Sequence, residues 1–135
     1  MFSYRITVRF GETDPAGLVY YPNIFHYLHT AMEEFFAARC GISYQQLVSQ
    51  ERIGFPTVNV QTEFHRPIVY GDEIVVRIAV AKVGETSLTL DYAIYRVGDD
   101  LACVNSRQIH VAIDLDSSRP VTIPQFLRDG LSNPD

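Results

Sequence analysis

The chain has 135 residues, with 11 Lys+Arg against 16 Asp+Glu, so its formal net charge is −5 at pH 7 with the four histidines neutral. The length suits one compact domain with a real core, and 47% hydrophobic against 20% charged residues is a globular composition, not a disordered one. The acidic balance excludes a partner held mainly through phosphate charge, so neither DNA nor RNA fits, although a local pocket can still take an anionic ligand. Cys40 and Cys103 match no metal spacing and no disulfide framework and are expected to be small buried hydrophobes. The start MFSYRITVRF alternates where a signal peptide would be continuously apolar, and no run reaches the ~18 apolar residues of a membrane span. A reducing cytosol is the expected address.

Alternation along the first segment places Tyr4, Ile6, Val8 and Phe10 on one side and Ser3, Arg5, Thr7 and Arg9 on the other, which predicts a half-buried strand. A loop, GETDPAGLVYYPN, leads into a helical pattern from about Pro22 to Arg39, with Pro22 in the first turn and Gly41 at the cap. Ile24, Leu28, Ala31 and Phe35 form its apolar stripe, widened by Phe25, Met32 and Phe36, while His26, His29, Thr30 and Glu33 are polar. A short second helix is expected after Ser43, with Gln46 three residues on in the manner of a capping box.

From Thr57 the period becomes two. Val58, Val60, Phe64, Ile68 and Tyr70 mark one strand, ended by Gly71-Asp72. Ile74, Val76, Ile78 and Val80 mark the next, and Leu88, Leu90, Tyr92 and Ile94 a third. Leu101, Cys103, Ile109, Val111, Ile113 and Leu115 are the apolar set of the last. Hairpin turns fall near Gly84-Glu85 and Gly98-Asp99-Asp100, and a final short helix is expected near Pro124 to Leu131. The order gives an α+β layer structure, an antiparallel sheet of about five strands with a long helix on one face, in a single domain over residues 1–135.

Candidate chemistry concentrates in the loop from Glu12 to Asn23. A carboxylate just before a helix start faces free N–H groups and the positive end of the helix dipole. Asp14 or Asn23 then either caps the helix or a turn, or Asp14 acts as base or nucleophile beside an oxyanion site built from the same amides. Pro22 has no N–H, which leaves those of Tyr21, Asn23 and Ile24 as the available donors.

The stretch RFGETDPAGLVYYPNIFHYLHTAMEEFF resembles the 4-hydroxybenzoyl-CoA thioesterase family of hotdog-fold proteins, in the loop from Asp14 to Asn23 above all. The resemblance continues more weakly through GFPTV at Gly54 to Val58 and RPIVYGD at Arg66 to Asp72. It implies a hotdog fold, an acyl-CoA substrate and assembly as a homodimer or homotetramer. By resemblance Asp14 is the catalytic carboxylate, the Tyr21 N–H polarises the thioester carbonyl, and Val19, Tyr20, Thr57 and Asn59 line the substrate site. No metal or organic cofactor is implied. The resemblance is strongest to enzymes acting on aromatic acyl-CoA, although related proteins take short aliphatic chains, and Tyr20, Tyr21 and Phe55 serve either as the wall of an aromatic pocket or as core.

Other readings have less support in the residues. No GxSxG elbow favours a Ser/His/Asp hydrolase. His26, His29 and Glu33 share a helix face without a metal motif, so a solvated or interface stripe is expected; His65 and His110 are expected at the sheet surface or a dimer contact. Arg66, Lys82, Arg107 and Arg128 are available for coenzyme A phosphates, but KVGETSL offers only Lys82 at its hairpin, so binding there is expected to be weak and salt-sensitive. A non-catalytic acyl-CoA or acyl-carrier binding module and a hotdog dehydratase or hydratase are the alternative functions.

Overall fold

A computed structural model describes residues 1–132; the last three residues of the expected domain lie outside the described residues. Strand β1 (Phe2–Thr7) alternates as its pattern requires, with Phe2, Tyr4 and Ile6 turned inward. It ends earlier than the alternation predicts. Phe10–Glu12 close into a 3-10 turn, because the Glu12 carboxylate accepts the Arg9 N–H at 2.8 Å and the Thr13 hydroxyl donates to the Phe10 carbonyl at 2.7 Å. Such local side-chain bonds compete with a ladder, and Phe10 is left exposed against the Tyr70 ring.

The long helix, α1 (Tyr21–Cys40), has Pro22 in its first turn and ends on Gly41 at φ 68°, a left-handed cap that glycine adopts at no steric cost. Its buried face is the predicted stripe plus Tyr27, with Phe25 only partly covered. That phenol donates to Glu12 Oε1 at 2.8 Å, and burial together with the carboxylate holds its pKa above the ordinary tyrosine value. Helix α2 (Tyr44–Ser49) starts where Ser43 accepts the Gln46 N–H at 3.1 Å, the expected cap.

After the two-residue strand β2 (Ile53–Gly54) come β3 (Thr57–Phe64), β4 (Glu73–Val83), β5 (Ser87–Arg96) and β6 (Ala102–Val111). The main sheet is antiparallel with order β1-β4-β5-β6-β3, so β3 is an edge. The predicted strand through Tyr70 stops at Phe64, and residues 65–71 become a loop beside the Asp14 segment. The last predicted strand divides as well: β7 (Ile113–Asp114) leaves the main sheet to pair with β2 and β8 (Arg119–Pro120). Helix α3 (Gln125–Leu131) packs on the C-terminal end of α1.

Ile74, Val76 and Ile78 of β4 and Leu88, Leu90, Tyr92 and Ile94 of β5 are buried, the core phase that alternation predicts. On β6 the phase is reversed. The β5–β6 register shifts between Ile94↔Val104 and Tyr95↔Ala102, so Cys103 is an extra residue. Such a bulge resets which side chains face inward. Cys103, Val104, Ser106, Gln108, His110 and Ala112 are the buried set, and Ile109 and Val111, expected inside, are only partly covered.

Candidate active site

Residues 14–18 form the tip of a tight hairpin. The Asp14 N–H donates to the Leu18 carbonyl at 2.7 Å, the Gly17 N–H to the Asp14 carbonyl at 2.9 Å, and Thr13 bridges to Val19. Gly17 sits at φ 80°, a conformation that favours glycine. The 65–71 loop braces the hairpin, with Val19 N–H on the Ile68 carbonyl at 2.8 Å and Tyr70 N–H on the Gly17 carbonyl at 3.1 Å. Within it Asp14 Oδ1 accepts the N–H groups of Ala16 at 2.9 Å and Leu18 at 3.3 Å. Among the described residues, Oδ2 accepts no hydrogen bond. The carboxylate is therefore oriented through one oxygen and has the other to act with.

The base of the hairpin delivers the chain to α1. Tyr20 N–H and Asn23 Nδ2 both donate to the Glu12 carbonyl, at 3.0 and 2.9 Å. Glu12, bonded at its carboxylate to Tyr27 and Arg9, thus ties strand exit to helix entry, a role its sequence position does not reveal. The helix start has no side-chain cap, since Tyr20 occupies that position and the first turn holds no acidic residue. Of the three expected donors, Asn23 is corrected: its N–H is bonded to the Tyr20 carbonyl at 2.8 Å. The Ile24 amide lies four residues beyond the cap, where the first intrahelical bond forms. The Tyr21 N–H remains, on the positive end of the helix dipole.

Tyr21 and Val19 line one cleft of about 350 Å³ with Leu18, Ile24, Phe64 and Arg66. Tyr20 is exposed, its ring edge-on to Tyr21. Asp14, Val19, Tyr20 and Tyr21 thus lie on one hairpin, with Val19 and Tyr21 on the cleft and Asp14 opposite Leu18 at the tip. Thr57 borders a second cavity of about 230 Å³ between α1 and the sheet, with Phe25, His29, Met32, Gln108 and His110. Asn59 pairs with Ile109 on the outer face of the sheet and joins neither.

His110 corrects the expectation of a surface position. It is 1% exposed, with Nδ1 3.0 Å from the Thr57 hydroxyl and Nε2 2.9 Å from the Tyr92 hydroxyl. Burial, with a smaller contribution from His29, pushes its pKa down to about 4, so the ring is neutral at pH 7. His65 is exposed beside Asn105, and His29 pairs with Glu33 at 2.9 Å on the open helix face. No group of three or more metal-ligating side chains occurs among the described residues. Arg128 is also corrected as a free cation, because it donates to the carbonyls of Gly84 and Glu85. Arg107 is engaged by Asp91 at 2.7 and 2.8 Å, and its guanidinium holds that carboxyl below the usual range. Arg66, at the first cleft, pairs with Asp99 at 3.4 Å, and Lys82 is exposed.

The family model of the thioesterase-like superfamily matches residues 8–131. The chain belongs to that superfamily. Its sequence is 31% identical over 124 residues to the 1,4-dihydroxy-2-naphthoyl-CoA hydrolase of Thermosynechococcus vestitus, spanning 92% of this chain and 84% of that protein. The structure of a gentisyl-coenzyme A thioesterase superposes with a TM-score of 0.87 at 25% identity, over 96% of this chain and 99% of that one. A 1,4-dihydroxy-2-naphthoyl-CoA thioesterase from Synechocystis shares the fold, with a TM-score of 0.87 at 23% identity over 98% and 96% of the two chains. The five-stranded antiparallel sheet around α1 is the hotdog fold of these thioesterases.

Proposed function

We propose that this superfamily member is an acyl-CoA thioesterase, hydrolysing an aromatic acyl-CoA to the free acid and coenzyme A. Asp14 is the general base or nucleophile and the Tyr21 N–H the oxyanion donor. The observation that carries the reading is the hairpin itself, which holds a carboxylate by one oxygen on one arm and an uncapped helix start on the other. As base, Asp14 takes a proton from water as its oxygen attacks the thioester carbon; as nucleophile, it forms an anhydride that water opens. On either route the carbonyl oxygen gains charge at a fixed N–H, and the sulfur leaves as a thiolate. A thiol pKa of roughly 8.5 means departure needs little help from an acid. This explains how one side chain and one amide can suffice.

The relatives' aromatic substrates and the ring-lined cleft support an aromatic acyl group. A single domain, a cytoplasmic setting and self-association belong to the same reading; the free cysteines Cys40 and Cys103 fit a reducing compartment. Val19 and Tyr21 wall the first cleft and Thr57 the deeper cavity, while Asn59 borders neither.

Asp14→Asn is the direct test. The amide oxygen can still accept the Ala16 and Leu18 N–H groups, so the hairpin keeps its shape, but the side chain no longer takes a proton. Coenzyme A release, followed with a thiol reagent, is expected to lose about 100-fold or more in kcat with KM little changed. Full turnover in the variant overturns the assignment, and no release by the wild type from any aromatic or aliphatic acyl-CoA overturns the thioesterase reading in favour of the alternatives, a binding module or a hydratase.

A further inference from the structure

The second cavity plays no part in the steps above, yet the chain spends buried polar groups on it. A β6 without the Cys103 bulge would turn Ile109 and Val111 inward; the observed phase buries Ser106, Gln108 and His110 instead. Buried polar groups cost stability unless they are hydrogen-bonded. Here Gln108 is bonded to Ser106 and His110 to Thr57 and Tyr92, and Gln108 and His110 edge a space walled by Phe25, Met32 and Val60.

Counting hydrogens gives what that space offers. A neutral imidazole has one N–H and one bare nitrogen. Since both His110 nitrogens meet hydroxyls, one of Thr57 and Tyr92 donates to the ring, and the other accepts from it and keeps its own hydrogen. Both residues border the cavity, so either tautomer leaves one hydroxyl hydrogen to donate. Gln108 uses Nε2 on the Ser106 hydroxyl at 3.3 Å, and its carbonyl oxygen is an acceptor. A donor and an acceptor together suit a ligand hydroxyl. No lining residue is a permanent cation, and His29 is occupied by Glu33, so a carboxylate would be buried without a countercharge.

The cavity lies next to the Tyr21 cleft. Tyr21 and Ile24 line the cleft, and Phe25, His29 and Met32 the cavity, with the Phe25 and Phe64 rings edge-on at 6.3 Å between them. At about 1.5 Å per residue, His29 stands about 12 Å beyond Tyr21 along α1. We infer that the cavity is the far end of the acyl site and selects an acyl group bearing an uncharged hydroxyl there. Thr57, Tyr92 and Gln108 make the hydrogen bonds and His110 is a positioning residue. This inference rests on the thioesterase reading.

The test compares naphthoyl-CoA with a naphthoyl-CoA hydroxylated on the ring distal to the thioester. The wild type is expected to prefer the hydroxylated ester at least tenfold in kcat/KM, because rejecting the analogue avoids leaving buried polar groups unpaired. Thr57→Val, Gln108→Leu and His110→Gln should each bring the ratio to within about threefold of one. Loss of folded protein lowers both values alike and leaves the ratio unchanged, so the ratio separates specificity from damage. A wild-type ratio near one, or a preference that survives all three substitutions, overturns the inference. If the wild type cleaves neither ester but releases coenzyme A from another aromatic acyl-CoA, the inference is overturned while the thioesterase reading stands; release from no acyl-CoA overturns both.

Discussion

Asp14 and His110 are opposite solutions to placing a titratable group near a hydrophobic core. Asp14 stays at the rim, oriented by two backbone N–H groups, whereas His110 is enclosed between two hydroxyls and kept neutral by its burial. The second arrangement has a consequence for acid stability. The folded ring titrates at about 4 against an ordinary 6.5, so between those values the unfolded chain binds a proton that the folded chain excludes. Stability therefore rises with pH across that window and falls as pH drops from about 6.5 toward 4. The loss from this one group approaches about 3 kcal/mol. Urea unfolding at pH 7 and at pH 4.5 should show a smaller difference for His110→Gln than for the wild type. Equal differences in the two proteins would assign the acid sensitivity to other groups.

At the level of elements, packing overrides local preference at two places. In α3, Gly130 lies against the backbone of α1, where an added methyl would collide with the Arg39 carbonyl oxygen. Alanine favours a helix interior over glycine by about 1 kcal/mol, but here the overpacking cost of about 1–3 kcal/mol is expected to win. Gly130→Ala should lower the thermal midpoint; a raised midpoint would mean that α3 simply moves away. The second place is β6. Helix α1 and strands β4 and β5 were legible in the sequence because their apolar periods are unbroken. The phase of β6 was not, since the bulge at Cys103 shifts it by one residue and the inward positions carry Ser106, Gln108 and His110. The same holds at the site: the Asp14–Asn23 hairpin is contiguous and its turn residues announce it, whereas the Thr57–His110 pair joins residues 53 apart. Only the strand register brings those two together.

At the scale of the whole molecule, the unfinished part is the β3 edge. Val58, Val60 and Phe64 are 60%, 43% and 51% exposed, an apolar row on a strand with one unpaired side. Natural proteins usually cover or charge such an edge, and pairing with the same edge of a second copy about a two-fold axis would cover it. The edge also bears on catalysis, because Phe64 lines the first cleft while Thr57 and Val60 line the deeper cavity, so closing β3 would complete the walls of both. Light scattering of the wild type should therefore give a dimer or a multiple of it. Val58→Lys places a charge on the edge without touching either cavity and should shift the mass toward the monomer, with kcat/KM falling about tenfold or more. Mass action links the two readings: raising the concentration of the variant should restore mass and activity together. A fully active monomer would show that one chain builds the whole site alone and that the exposed row on β3 serves something other than self-association.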